Sequence, residues 1–296
     1  MHDAKEPSGA ERRAMLAGFG AIALWGSLAA LSVLAGPVPP FQMVAMTFAV
    51  GAALGIARAR RRGVAWSGLM RWPAPVWALG VGGLFGYHAL YFAALQLAPP
   101  AEANLVNYLW PLLIVLLSAP LAGERLGWTH LVGAVLGFAG VALLALGRGL
   151  DFVGGTLLGY ALALGCAVTW SVYSVLSRRF GETPTDAIAA FCAVAAVLSL
   201  ACHLAVEPTV WPASPAAWGA VLALGIGPTG GAFYLWDHAV KRGDIRALGA
   251  ASYATPILST ALLIVCGLAQ PTSALVIAAL LVTAGAVLAS RDLWKR

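Results

Sequence analysis

The chain has 296 residues, is 60% hydrophobic and only 10% charged, and carries a formal net charge of +6. A soluble globular protein is about 25% charged, so a water-soluble domain is excluded. Apolar runs of about 20 residues also exclude a β-barrel, whose strands are shorter and alternate, and leave helices as the way to satisfy a backbone in hydrocarbon.

Residues 1–13, MHDAKEPSGAERR, read as a polar cytoplasmic tail. The apolar run after it, 14–35, exceeds the core of about 7–15 residues of a signal peptide and reads as a first span. Further spans fall near 38–57, 75–97, 101–121 and 127–147, then 156–177, 185–205, 216–239, 245–266 and 272–290, with a linker at 148–155 and a tail at 291–296. The connections are short and rich in Gly, Pro or Arg, as in GPVPP (36–40), RARRRG (58–63) and VEPTVWPASP (206–215). With the N-terminus inside, every Lys and Arg except Arg148 lies on the cytoplasmic side. That asymmetry places both termini in the cytoplasm and accounts for the basic charge without any nucleic acid.

Candidate site residues appear along the same path. Span 1 carries Trp25 near its middle, and span 3 carries His88 and Tyr91 three residues apart, on one helix face, with Tyr87 beside them. Span 4 holds Asn104, Asn107, Tyr108 and Trp110, closed by Pro111. Span 6 adds Trp170 and Tyr173, span 8 adds Tyr234, and span 9 adds Tyr253 followed by Pro256. Tryptophan normally collects at the membrane interfaces, so Trp25, Trp110 and Trp170 point to an aromatic site near mid-membrane. An ionisable side chain within a span, here His88, is a functional candidate for the same reason of cost. Asp237 and His238 lie near the cytoplasmic end of span 8 beside Lys241 and read as a solvated ion pair, and Glu102 lies at the periphery of span 4.

The chain also matches itself at an offset of 145 residues: Trp25 with Trp170, Gly82 and Gly86 with Gly227 and Gly231, Tyr108 with Tyr253, Pro111 with Pro256, and Gly140 with Gly285. Halves of five spans each, 14–147 and 156–290, must cross the membrane in opposite senses. The Arg-rich 58–71 answers to 203–216, which holds no Lys or Arg. Inverted repeats of this kind build transporters with a site at the midplane. Gly82, Gly86, Gly227 and Gly231 form small-xxx-small patterns for close packing, and Pro228 interrupts span 8. The fold expected is an all-α membrane protein of ten transmembrane helices, arranged as two inverted five-helix repeats around a central cavity.

No Lys, Arg, Asp or Glu falls at the centre of a span, which disfavours phosphate-bearing and cationic substrates and favours a net-neutral zwitterion. Cys166, Cys192, Cys202 and Cys266 have no metal-ligand spacing and read as small packing groups, so neither metal nor cofactor is expected. There is no HExxH, no GxSxG and no paired mid-span aspartate, so an intramembrane enzyme is not expected. Membrane lipid and a small-molecule substrate are the partners implied, and no oligomeric state is assigned.

The ten spans, the inverted halves and stretches such as GGLFGYHALYFAALQLAPPAEANLVNYLWPLL (82–113) resemble bacterial drug/metabolite transporters of the EamA type. Within them the chain looks most like the YddG-type exporters of aromatic amino acids. The resemblance implies export across the inner membrane by alternating access, with the substrate role falling on His88, Tyr91, Tyr108 and Trp110. Export of other small metabolites or drugs is the alternative.

Overall fold

The computed structural model describes residues 9–122, 127–147, 155–177, 183–242, 251–252 and 254–289, and among them every regular element is helical. In chain order these are α1 (Gly9–Gly26), α2 (Leu28–Leu34), α3 (Pro40–Arg61), the short α4 (Trp66–Leu69), α5 (Ala74–Val81), α6 (Tyr87–Leu97), α7 (Pro100–Asn107), α8 (Trp110–Ala122) and α9 (Trp128–Gly147). Then come α10 (Thr156–Ser177), α11 (Ala187–Val206), α12 (Pro215–Ile226), α13 (Ala232–Arg242), α14 (Thr255–Val265) and α15 (Ser273–Ala289). Six helical stretches of the described residues are long and apolar enough to cross a membrane: Arg12–Leu34, Pro40–Arg61, Ala74–Leu97, Thr156–Leu176, Ala187–Val206 and Pro215–Ala239. The apolar helices Trp128–Leu143, Thr255–Val265 and Ser273–Leu288 are shorter. The molecule is a multi-pass membrane protein.

Helix ends follow local chemistry. α3 starts on Pro40, which has no N–H to leave orphaned, and ends in Arg58, Arg60 and Arg61, with Gly63 beyond it at φ +74°. Ser214 caps α12 by accepting from the Ala217 N–H at 3.1 Å, with Pro215 in the first helical position.

Two spans are interrupted at equivalent places. Between α5 and α6 the chain takes a π-helical turn, Gly82–Gly86, and between α12 and α13 another, Gly227–Gly231, each residue 145 positions from its counterpart. In the second turn Pro228 cannot donate to the Leu224 carbonyl, and the Thr229 hydroxyl does so instead at 2.8 Å. Close packing here involves Gly227, where a Cβ would lie 3.2 Å from Leu24 Cδ2, and neighbours of the other glycines singled out from sequence. A Cβ on Gly82 would meet nothing within 4 Å, whereas one on Gly83 would come within 2.5 Å of the Tyr173 ring. A Cβ on Gly51 of α3 would lie 3.2 Å from the Thr229 carbonyl oxygen, so α3 rests directly on the second π turn.

Helices from the first part of the chain pack chiefly on helices from the second: α3 on α11, α9 on α15, α1 on α13 and α6 on α10. At the α9–α15 crossing a Cβ on Gly285 would stand 2.5 Å from the Gly133 carbonyl oxygen and one on Gly140 3.0 Å from that of Ala278. The α3–α11 pair is tied at both ends. At one, Glu207 accepts from the Phe41 and Gln42 N–H groups at 2.9 and 3.1 Å, and His203 Nδ1 lies 3.0 Å from the same carboxylate. At the other, Arg58 and Arg62 lie 3.8 Å from Asp186.

Two acidic residues near helix ends have partners in the structure. Glu102 sits at a helix start as expected, but it is buried and accepts from the Tyr160 hydroxyl. Asp237 is half-buried and accepts from the Thr185 hydroxyl, while His238 pairs with Arg242. Tyr253, most of the 148–155 linker, residues 1–8 and the tail 291–296 lie outside the described residues.

Candidate functional site

A cavity opens where the interrupted helices converge, lined by Trp25, Leu28, Tyr87, His88, Asn104, Asn107, Tyr108, Trp110, Trp170, Phe233 and Thr255. It holds about 440 Å³ of space unfilled by atoms, counting solvent at its mouth. Breaks in the helices place these side chains. Trp25 and Leu28 flank Ser27, where α1 gives way to α2 and the Ser27 hydroxyl donates to the Leu24 carbonyl at 2.7 Å. Tyr87 and His88 follow the first π turn, and Phe233 follows the second. Tyr108 and Trp110 bracket the break between α7 and α8, and Thr255 opens α14.

The aromatic walls meet edge to face. Trp25 lies 6.3 Å from Trp170 and 6.2 Å from Phe233, and Trp170 lies 5.2 Å from Tyr87. His88 is buried among Phe48 and Tyr87, both at 4.8 Å, and Phe233 at 6.0 Å. Its Nδ1 lies 2.9 Å from the Leu84 carbonyl, which can only accept, so Nδ1 carries a hydrogen and Nε2 is the nitrogen left for a ligand.

The two asparagines of α7 differ. Asn104 spends its whole amide inside the protein: Oδ1 accepts from Tyr91 at 2.9 Å, and Nδ2 donates to Ser259 at 2.7 Å. Asn107 donates from Nδ2 to the Tyr87 hydroxyl at 3.0 Å, and its buried Oδ1 has no partner. A tyrosine hydroxyl donates or accepts, so either amide end can face Tyr87 and the other stays open. An open polar atom in a buried aromatic cavity costs free energy until a ligand or water meets it.

Of the residues singled out from sequence, Trp25, Tyr87, His88, Asn104, Asn107, Tyr108, Trp110 and Trp170 line the cavity together. Tyr91 stands behind it, stacked on Tyr87 at 5.9 Å and bonded to Asn104. Tyr173 backs Trp170 at 5.1 Å. Tyr234 lies apart, with the Arg58 guanidinium 5.3 Å over its ring and its hydroxyl in the space that Gly55 leaves. Pro111 and Pro256 are each the second residue of their helices, at the breaks beside the cavity. Sequence reasoning did not pick out Leu28, Phe233 or Thr255. The 145-residue offset could have found two of them, since it maps His88 onto Phe233 and Trp110 onto Thr255.

The EamA-like transporter family matches residues 12–146 and again 157–291. A protein of Ancylobacter novellus named "Aromatic amino acid exporter YddG" is 55% identical over 279 residues, covering 94% of this chain and 96% of that one. A protein of the same name from Salmonella typhimurium is 27% identical over 172 residues, covering 54% of this chain and 57% of its own. A solved crystal structure superposes with a TM-score of 0.74 at 54% identity, covering 95% of this chain and 98% of that one. The chain therefore belongs to the EamA-like transporter family and is a membrane transporter, not an enzyme.

Proposed function

We propose that the protein is an inner-membrane exporter of amino acids with aromatic and other apolar side chains, broad in range and working by alternating access. The observation that carries this reading is the composition of the cavity. Its wall is aromatic, it offers an imidazole and an open amide, and among the described residues that line it there is no Asp, Glu, Lys or Arg. A neutral zwitterion suits that lining: rings stack on the walls while His88 and Asn107 meet the charged head. The cavity backing supplied by Tyr91 and Tyr173 belongs to the same proposed site, and Tyr253 is proposed for it from the sequence alone. The names of the relatives from Ancylobacter novellus and Salmonella typhimurium support the same substrate class.

The architecture proposed with it is ten spans in two inverted halves, 14–147 and 156–290, with both termini cytoplasmic. The family's double match at an offset of 145 residues supports two halves. Arg58 and Glu207 tie opposite ends of the α3–α11 pair, which fits halves that cross in opposite senses. Gly82, Gly86, Gly227, Gly231 and Pro228, in the two π turns, and the helix-opening Pro111 and Pro256 would serve as the flexing points, because π turns and prolines loosen the helical ladder.

Flux of labelled phenylalanine from proteoliposomes, with and without a pH gradient, tests the function. Wild type is expected to carry it, and His88→Ala and Trp110→Ala to lower the rate about tenfold or more, the scale on which a pocket contact discriminates. Wild-type flux from folded variants of both positions would overturn the site assignment.

A further inference from the structure

The 145-residue offset that relates the halves also relates the residues of the cavity, and it shows where the two walls differ. Trp25 answers to Trp170, and their rings meet at 6.3 Å; His88 answers to Phe233, and theirs meet at 6.0 Å. Trp110 answers to Thr255, and both line the cavity. The first half thus carries an indole where the second half carries a threonine. The same asymmetry holds around it, since Tyr87 and Asn107 answer to Ala232 and Ser252.

Pro256 cannot donate to the Ser252 carbonyl, and the Thr255 hydroxyl donates to it at 2.6 Å. The hydroxyl hydrogen is spent on its own backbone, so what Thr255 offers the cavity is small size and an oxygen that can only accept. The polar atoms open to a ligand, on His88 and Asn107, belong to the first half of the chain. With the head of a zwitterion at His88 and Asn107, Thr255 is the small residue in the lining left to its side chain, among Trp25, Trp170 and Phe233.

We infer that Thr255 sets the upper size limit of the transported side chain, by occupying with a small residue the position at which the other half carries Trp110. This rests on the reading of the cavity as an amino-acid site and deepens it by assigning the side-chain end of the ligand to α14.

Flux of valine, phenylalanine and tryptophan through proteoliposomes containing wild type, Thr255→Phe, Thr255→Ser or Thr255→Val tests it. Thr255→Phe is expected to lower phenylalanine and tryptophan flux by about tenfold or more relative to valine, the discrimination a filled pocket gives. Thr255→Ser keeps the hydroxyl for Ser252, enlarges the pocket and should raise tryptophan relative to valine. Thr255→Val keeps the volume, loses the hydroxyl and should leave the ratios unchanged while lowering thermal stability. Loss of all three fluxes in equal proportion in a folded Thr255→Phe protein overturns the inference. If that variant does not fold, an unchanged tryptophan-to-valine ratio in Thr255→Ser overturns it. A wild type that carries none of the three overturns the amino-acid reading itself, and the inference with it.

Discussion

Asn104 and Asn107 stand one turn apart on α7 and meet different fates. Asn104 joins Tyr91 of α6 to Ser259 of α14 and is fully satisfied. Asn107 keeps one amide end open beside His88 and the tryptophans. Replacing a buried group that bridges two partners leaves both unpaired, at about 1–3 kcal/mol each. Asn104→Leu is therefore expected to lower the thermal midpoint in detergent markedly. Asn107→Leu should unfold near the wild-type temperature yet lose about tenfold or more of phenylalanine flux. The reverse pattern would show that the open amide has no part in transport. Sequence spacing could not separate the two, because Ser259 lies 155 residues further along the chain.

At the scale of helices, the α3–α11 pair is held differently at its two ends. Glu207 is mostly buried, and its carboxylate accepts two N–H groups at the start of α3, where the helix dipole also favours an anion. Asp186 meets Arg58 and Arg62 at 3.8 Å, too long for hydrogen bonds, and those arginines are 36% and 55% exposed. Glu207→Gln should thus cost about 1–2 kcal/mol of stability, and Asp186→Asn no more than about 1 kcal/mol. Thermal unfolding of the two variants in low-salt detergent measures this, and an equal or larger loss in Asp186→Asn would contradict it. In the sequence Glu207 reads as part of a turn-rich linker, since its partner backbone lies 166 residues earlier. The π turns were half legible. Pro228 marked an interruption in span 8, but nothing in GGLFG (82–86) except its repeat position marked the matching one.

Over the whole molecule, the proposed inverted halves place 58–71 and 203–216 on opposite sides of the membrane. Single cysteines introduced as Arg60→Cys and Pro208→Cys, both at exposed positions, test this in a background without the four native cysteines. In intact cells an impermeant maleimide should label the second and spare the first. Labelling of both, or of neither, would remove the inverted arrangement and the exporter mechanism built on it.

What the sequence by itself determined was the solvent, the helical class, the family and the presence of aromatic and polar groups in costly mid-span positions. The family follows from resemblance in stretches such as 82–113, and the others from composition and periodicity, because hydrocarbon penalises each charge and unpaired backbone group wherever the chain runs. Only the tertiary structure decided which of those groups share a cavity. Tyr91 and Tyr234 carry the same chemistry as Tyr87 and Tyr108, yet one stands behind the cavity wall and the other beside Arg58. A side chain faces the cavity or its neighbours according to where α1, α6, α7, α10, α13 and α14 cross. Those crossings are set by glycine contacts and π turns between residues far apart in the chain.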